Sequence, residues 1–582
     1  MSQGSTDCYM RRIFPGCGVL CAAFSFIAAS AQTPTAADLN ESQLQRQQER
    51  ESQLRQQLES HPDVRLQPSV ATQSSHLPSD ESPCIVIQRI ALVGEMSDRF
   101  TDITDSANYA ADGSHDAIVD RCAGAIGIGI AIRRLQNELV RRGYITTRVL
   151  AGPQDLTQGT LTVQLIPGRV HAIRFAEGTP TRATIWNTMP LQSGDVLNLR
   201  AIEQALENLK RLPSADADIR IEPAYGDDAR PGYSDVVIHW RQRFPVRINL
   251  YADNSGFEST GRYQGGLTLS YDHALTSNDL FYISLNRSLF EQAPDPRGTN
   301  SNTVHYSLPF RYWLLGATVS NGHYRQSIAG ANSAIVYSGE SANQELKLSR
   351  ILARDASSKT AAYFSLWAKQ SRNFVGDLEI QVQRRQLGGF EAGLTHRQVL
   401  SSATLDLNAG YRRGSSVFGH HPLLNEAVEG STRPQILQVG ALYNQPFVIA
   451  ERRLRYTLAI RAQHAWSSLL PQDRFSIGSR FSVRGFDEQR ILSADRGWLV
   501  RNDLGISIGG SGQEAYLGLD YGGVSGRHSE QLAGKQLAGL AFGIRGGAQG
   551  VAYDLFAGRA LSAPIGFSTK GPNFGFSLSW SY

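Results

Sequence analysis

The amino-acid sequence predicts a mostly β protein: an antiparallel transmembrane β-barrel of roughly 16 strands, preceded by two small α/β domains and an N-terminal polar helix. Three observations carry this. In the final segment Phe574, Phe576, Leu578, Trp580 and Tyr582 share one face, while Gly575, Ser577, Ser579 and Ser581 share the other. Strand side chains alternate across two faces, so this spacing makes one apolar, aromatic face and one small, polar face. The same alternation begins near Phe244 and runs to the C-terminus with no long apolar helix among it. Finally, about 340 residues, at ~10 per membrane strand plus turns and some long loops, accommodate roughly 16 strands. A bilayer core holds no water to satisfy an open sheet edge, so a lipid-facing sheet of this kind has to close on itself.

Composition is compatible with this fold. The 582 residues are 41% hydrophobic and include 55 Gly, 21 Tyr and 23 Phe. A mean hydropathy of −0.27 is polar for a membrane protein, but a barrel shows lipid only every second residue. The formal charge of +4 and the lack of a Lys/Arg tract give no sign of a nucleic-acid partner.

Element by element, Arg11 and Arg12 precede an apolar stretch over 13–28 and the small-x-small pattern Ala29-Ser30-Ala31, which predicts a signal peptide over 1–31. Cleavage there removes Cys8, Cys17 and Cys21 and leaves Cys84 and Cys122. An even pair in an oxidising compartment favours a disulfide over two buried thiols. Residues 32–60 are rich in Gln, Glu and Arg, with Leu44, Leu54 and Leu58 the apolar side chains of the central part. These are helix formers, but the helix is polar nearly all round and is expected to stay out of any packed apolar core, in solvent or in a wet lumen. Residues 61–82 read as a linker.

The first α/β module, 83–168, is expected to have a strand over 84–93, a helix over 128–142, and strands over 146–150 and 161–166. The second, 169–242, is expected to have strands over 171–175, 217–221 and 235–240 around a helix over 199–212. A strand–helix–helix–strand–strand order repeated in tandem suggests duplication. The barrel takes 243–582. In it Val304, Tyr306, Leu308 and Phe310 oppose Thr303, His305 and Ser307, and Tyr456, Leu458, Ile460 and Ala462 oppose Thr457, Arg461 and Gln463.

No phosphate loop, zinc-binding helix or nucleophile elbow stands out, so no catalytic residue, metal or cofactor is expected. The distinctive segment is a long loop near 465–497, reading FSIGSRFSVRGFDEQ over 475–489, since loops of this length are functional or disordered. Further on, Ala515, Leu517, Leu519 and Tyr521 take the lipid face, which turns Gly518, Asp520 and Gly522 into the lumen. Alternation leaves two readings of Asp520. It solvates the pore wall, or it receives the guanidinium of Arg484 from a loop folded inward, which suits bidentate bonding.

Val483-Arg484-Gly485-Phe486 resembles the lid-loop motif of the barrel superfamily that assembles or exports outer-membrane polypeptides, and Gly518-x-Asp520-x-Gly522 resembles its partner motif on a barrel strand. More narrowly, the chain is similar to the two-partner secretion transporters (TpsB), in their haemolysin secretion/activation branch. That similarity is carried by Cys84 and Cys122, by Arg142-Gly143-Tyr144-Ile145-Thr146-Thr147 with Pro153-Gln154-Asp155-Leu156, by Ile166-Pro167-Gly168, and by Asp253-Asn254-Ser255-Gly256 with Thr260-Gly261.

The resemblance implies a plug helix, a linker, two POTRA domains in the periplasm and a 16-stranded barrel in the bacterial outer membrane. It pairs Arg484 with Asp520 as the lid latch. Its implied function is export, with or without activation, of a large TpsA-type exoprotein bearing an N-terminal secretion domain. No nucleotide is hydrolysed in that scheme, and the protein is not expected to be an enzyme. Further implied partners are outer-membrane lipid, periplasmic chaperones and the barrel assembly machinery. An outer-membrane insertase is the alternative, with a diffusion porin behind it. Insertases usually carry more than two POTRA domains, and a porin needs none.

Overall fold

The structure, a computed structural model, describes residues 49, 51, 52, 55, 58, 59, 62–67, 76–225, 230–290, 297–329, 334–416, 430–487, 490–510, 512–527, 529–567 and 571–582. The expected signal peptide over 1–31 lies outside the described residues, as do Leu44 and Leu54.

The first module runs β1 (Ile85–Ile87), β2 (Arg89–Gly94), a 3-10 stretch (Ser97–Asn108), β3 (Arg121–Ala123), α1 (Ala125–Arg141), β4 (Arg148–Leu150) and β5 (Thr160–Ile166). The single strand expected over 84–93 is two: β1 pairs with β3, whereas β2 runs parallel to β5 in a sheet of order β2-β5-β4. The N–H groups of both Gln88 and Arg89 turn to the Gly159 carbonyl, which marks the change of partner. The first helix of the duplicated order is here the 3-10 stretch, and its Phe100, Ile103 and Ala107 join Leu135, Leu139 and Val163 in one buried cluster. Gly124 supplies no side chain to cap α1. Glu81 does so from the linker, accepting from the N–H groups of Gly124, Ile126 and Gly127 at 2.7, 2.9 and 3.0 Å.

Cys84 and Cys122 are joined by a disulfide, with Cα atoms 5.3 Å apart and 38 residues of separation. It staples the β1–β3 pair, where Val86 lies opposite Cys122. Closing a loop of that size contributes about 4 kcal/mol in the chain-entropy account. The Cys84→Ser/Cys122→Ser variant is therefore expected to lose protease resistance in the first module at markedly lower urea than wild type. Its barrel should keep normal heat-modifiable migration, and an unchanged urea midpoint would refute this.

The second module runs β6 (Arg169–Phe175), α2 (Leu199–Lys210), β7 (Ala215–Pro223) and β8 (Tyr233–Gln242), with sheet order β6-β8-β7. Asn198 caps α2, its side chain accepting from the Arg200 N–H at 2.8 Å. Turns replace the first helix of the duplicated order. The apolar stripe that the sequence places on this helix, Ile202, Leu206, Leu209 and Leu212, is buried in one core with Ala217, Ile219, Val236 and Ile238 of the sheet. The polar side of α2 is buried as well, against the barrel rim: Asn208 donates to the Arg311 carbonyl at 2.8 Å.

Sixteen long strands follow and pair antiparallel with their neighbours into a closed barrel. They are β9 (Val246–Asp253), β10 (Gln264–Asp272), β11 (Leu280–Ser288), β12 (Gly298–Phe310), β13 (Trp313–Ala329), β14 (Ala334–Arg354) and β15 (Ser358–Val375). After a short loop strand, β16 (Leu378–Glu379), come β17 (Arg385–Leu400), β18 (Ala403–Gly414), β19 (Gln435–Ile449) and β20 (Arg452–Ala465). The long loop carries a small hairpin, β21 (Phe475–Ile477) with β22 (Leu492–Ala494). The barrel resumes with β23 (Arg496–Ile508), β24 (Gln513–Ser525), β25 (Gln536–Ala548), β26 (Val551–Ser562) and β27 (Asn573–Ser581).

Closure is between the last strand and the first, where Ser577–Ser581 pair with Asp253–Asn249 and the Tyr582 N–H donates to the Ile248 carbonyl at 2.9 Å. Phe574, Leu578, Trp580 and Tyr582 are exposed on the outer face and Phe576 is half-buried. Several strands far exceed the length expected from the bilayer alone. β14 has 21 residues, whereas an apolar band about 25 Å tall needs only ~10. The excess is paired with β13 and β15 along nearly its whole length, so the wall continues beyond the membrane.

Candidate functional site

The loop between β20 and β23 folds into the barrel instead of standing outside it. Its β21–β22 hairpin and tip bury Ile477, Val483, Phe486 and Leu492 against Leu499, Val524 and Leu537 of β23, β24 and β25. Phe486 meets Phe567 edge-on, with ring centroids 5.7 Å apart. This apolar contact seats the tip on one arc of the wall, and Arg480 carries the contact across the barrel closure, donating to the Phe576 carbonyl of β27 and to Asn254 beside β9, each at 3.1 Å.

At the tip, Arg484 makes three bonds to Asp520 on β24. Its Nε donates to Oδ2 at 2.7 Å, its Nη2 to Oδ1 at 2.7 Å, and its backbone N–H to Oδ2 at 3.0 Å. Asp520 is 0% exposed and Arg484 is 3% exposed, while Leu517 and Leu519 on the opposite face are each 50% exposed. Of the two readings open for Asp520, the geometry is that of the paired one. Nη2 of Arg484 also donates to Asp503 at 2.5 Å. From Asp503 the network continues to Arg545 at 3.3 Å, on to Glu514 at 2.6 Å and from there to Arg455 at 2.7 Å. Arg501 lies 3.9 Å from Asp520. With so many alternating charges, most buried groups have an opposite partner, which is the condition under which buried ions are tolerated.

Glycines make the seat. A Cβ on Gly518 would lie 2.3 Å from Arg484 Nη2, and one on Gly522 would lie 3.1 Å from Val483. Gly485 has φ +99°, a conformation that favours glycine, and its Cβ would lie 2.5 Å from the Arg559 carbonyl. The sequence motifs therefore converge: Val483, Arg484, Gly485 and Phe486 meet Gly518, Asp520 and Gly522 in one place. Cys84 and Cys122 stand apart in the first module, and the C-terminal aromatic residues stand on the lipid face.

Four contributors were not singled out from the sequence. A Cβ on Gly539 would lie 1.7 Å from the Arg484 carbonyl, and one on Gly558 would lie 2.9 Å from the Gly485 nitrogen. Asp503 sits directly opposite Gly518 in the β23–β24 register, and Arg545 lies on β25. The alternation that turned Asp520 inward also turns these inward, so phase could have nominated them. What phase lacks is any sign of which inward position the loop touches.

The described part of the polar segment also faces the inner wall. Arg55 pairs with Glu345 of β14 at 2.7 Å, Ser320 of β13 donates to Glu51 at 3.1 Å, and His305 of β12 lies 3.1 Å from Glu59. One expectation is corrected here. Leu58 does enter an apolar core, being 5% exposed in a cluster that includes Leu280 and Tyr282 of the barrel. A single leucine on a polar helix gives no stripe in the sequence, yet it fits a local apolar spot on the wall.

Comparison with known proteins agrees with this architecture. Residues 232–546 match the profile described as haemolysin secretion/activation protein ShlB/FhaC/HecB, 169–223 match a POTRA domain, and 101–168 match a POTRA domain of ShlB type. The chain is 34% identical over 587 residues to the outer membrane transporter CdiB-2 of Burkholderia pseudomallei (strain 1026b), covering 96% of this chain and 98% of the relative. It is 22% identical to the hemolysin transporter protein HpmB of Proteus mirabilis, over 66% of this chain and 67% of the relative. The solved structure of CdiB from Acinetobacter baumannii superposes with a TM-score of 0.80 at 30% identity, covering 94% of this chain and 99% of that one. The chain thus belongs to the haemolysin secretion/activation family of outer-membrane transporters, with two POTRA domains ahead of its barrel.

Proposed function

We propose that the protein exports one large, unfolded, β-rich exoprotein through its barrel by two-partner secretion, with Arg484 and Asp520 as the latch that holds the lid inside. The observation that carries this reading is the lid tip seated in the lumen on a buried charge pair. The pair closes a seat that also buries Ile477, Val483 and Phe486 against the wall, so the lid has one well-defined docked arrangement, and breaking the pair shifts it toward an undocked one. Residues 32–60 act as the plug, residues 61–82 as its tether, and both plug and lid shift before a polypeptide passes. The POTRA domains, taken as 83–168 and 169–242, capture extended segments by adding a strand to an open edge such as β2 or β6. Main-chain bonding of that kind gives affinity without demanding a particular sequence. Folding of the passenger outside the cell biases direction, since no nucleotide-binding motif is present in the sequence.

The partner is a TpsA-type exoprotein with an N-terminal secretion domain. Outer-membrane lipid surrounds the barrel, and periplasmic chaperones with the barrel assembly machinery deliver it there. The test is co-expression in a heterologous Gram-negative host with an N-terminal secretion-domain fragment of a TpsA-type exoprotein. Fragment in the medium only when the intact transporter is present is the expected result. Fragment held in the periplasm beside a correctly folded barrel would remove the export reading and favour an insertase.

A further inference from the structure

Helix α2 presents Glu203 and Glu207 one turn apart, both buried, at 0% and 7% exposure, between the second POTRA domain and the barrel rim. Glu203 pairs with Arg200 of the same helix, and further basic partners flank the β14–β15 turn. Arg354 reaches Glu203 at 3.0 Å and Glu207 at 3.0 Å, and Lys359 reaches Glu207 at 3.1 Å. These bonds leave carboxylate oxygens with unused acceptor capacity, which the tether fills. The Val64 N–H donates to Glu207 Oε1 at 3.1 Å, the Leu66 N–H donates to Glu203 Oε1 at 2.7 Å, and the Val64 carbonyl accepts from Arg354. Val64 and Leu66 also pack their side chains against the apolar core that α2 shares with the barrel.

Two N–H groups at i and i+2, with the carbonyl of i, are what one side of an extended strand offers to a neighbour. The cradle therefore reads the backbone of an extended segment, together with an apolar residue at every second position. Neither glutamate bonds the Asp63 or Arg65 side chains, which pair with each other at 3.1 Å while Arg65 also donates to the Ala356 carbonyl at 2.9 Å.

We propose that Glu203, Glu207 and Arg354 form a peptide-binding site at the periplasmic mouth of the barrel, specific for extended apolar-x-apolar segments, and that residues 62–67 fill it as an internal ligand in the resting protein. A segment of the passenger with that pattern displaces the tether and so draws on the polar helix to which the tether is joined. This rests on the export reading above and adds the site where the passenger is first felt. Vacating the cradle without replacement takes one backbone donor from each of two buried carboxylates and leaves them only their Arg200, Arg354 and Lys359 partners, so exchange of one extended segment for another is favoured over simple release.

The test uses the full-length protein in nanodiscs and a fluorescein-labelled peptide of the sequence Pro-Asp-Val-Arg-Leu-Gln, that of residues 62–67. A Val64→Ser/Leu66→Ser protein, with its own ligand weakened, is expected to bind the peptide at least about tenfold more tightly than wild type. The same peptide N-methylated at its Val and Leu nitrogens should lose that gain, because it keeps the side chains and lacks both donors. Equal binding of the two peptides, or no binding to the opened protein, would overturn the proposal. Should the double variant fold poorly, hydrogen exchange on the wild-type protein decides instead. The Val64 and Leu66 amides should be protected and should lose protection when the unmodified peptide is added in excess. Protection that the peptide never changes counts against the site. Peptide binding does not depend on transport, so a protein that binds but exports nothing would sink the export reading and leave the cradle standing. Export without peptide binding would do the reverse.

Discussion

Replacing Arg484 by alanine is expected to reduce passenger export at least about tenfold while leaving the amount of folded barrel unchanged. The variant leaves Asp520, which is 0% exposed, with Arg501 at 3.9 Å as its nearest cation. Stranding one member of a buried pair costs about 3–5 kcal/mol, which is enough to unseat the lid. The companion change is not equivalent. In Asp520→Ala, Arg484 keeps Asp503, already bonded at 2.5 Å, so the loss should be smaller. An Asp503→Asn/Asp520→Ala double variant should then fall to the level of Arg484→Ala, because the three groups share one network and their effects do not add. The measurement is passenger in the medium per unit of heat-modifiable barrel. If Arg484→Ala and Asp520→Ala both export like wild type, the latch has no role in transport.

The second large effect is expected from a residue with no charge. Gly539→Val places a Cβ 1.7 Å from the Arg484 carbonyl, closer than any real contact, and both atoms belong to structures that cannot simply rotate aside. The strand is held on both edges, by β24 and β26, so the lid tip has to move. That movement withdraws Arg484 from Asp520 without altering either side chain. Planar-bilayer recordings should show a larger or more frequently open conductance than wild type, and protease should cut within the lid of Gly539→Val but not of the native protein. Gly510→Ala is the control: it lies in the β23–β24 turn with no atom within 4 Å of the added methyl, and it should behave as wild type. Matching traces and cleavage patterns for Gly539→Val and wild type would show that the tip does not rest where the structure seats it.

Both predictions concern positions that differ in how far the sequence reveals them. Asp520 was legible because Leu517, Leu519 and Tyr521 declare the lipid face, so the residue between them has to point inward. Gly539 obeys the same phase between Ala538 and Leu540, yet nothing local distinguishes it from Gly543 on the same strand. Its importance comes from a loop that begins more than fifty residues earlier. The strand expected over 84–93 shows a different limit. Its sequence is apolar on both sides of Gln88 and Arg89, but its hydrogen-bond partner changes at Gln88, and partner choice is a long-range property. Glu203, Gln204, Glu207 and Asn208 look like the solvated side of an amphipathic helix, and a barrel rim buries them.

Periodicity therefore determined the barrel, its inner and outer faces, the two modules before it and the inward carboxylate, because each follows from how a strand or helix distributes its own side chains. Which inward groups meet the lid, where Leu58 finds an apolar partner, and why the polar side of α2 is buried were decided by tertiary structure alone. Those contacts join residues far apart in the chain, and only closure of the barrel and docking of the second POTRA domain bring their surfaces together.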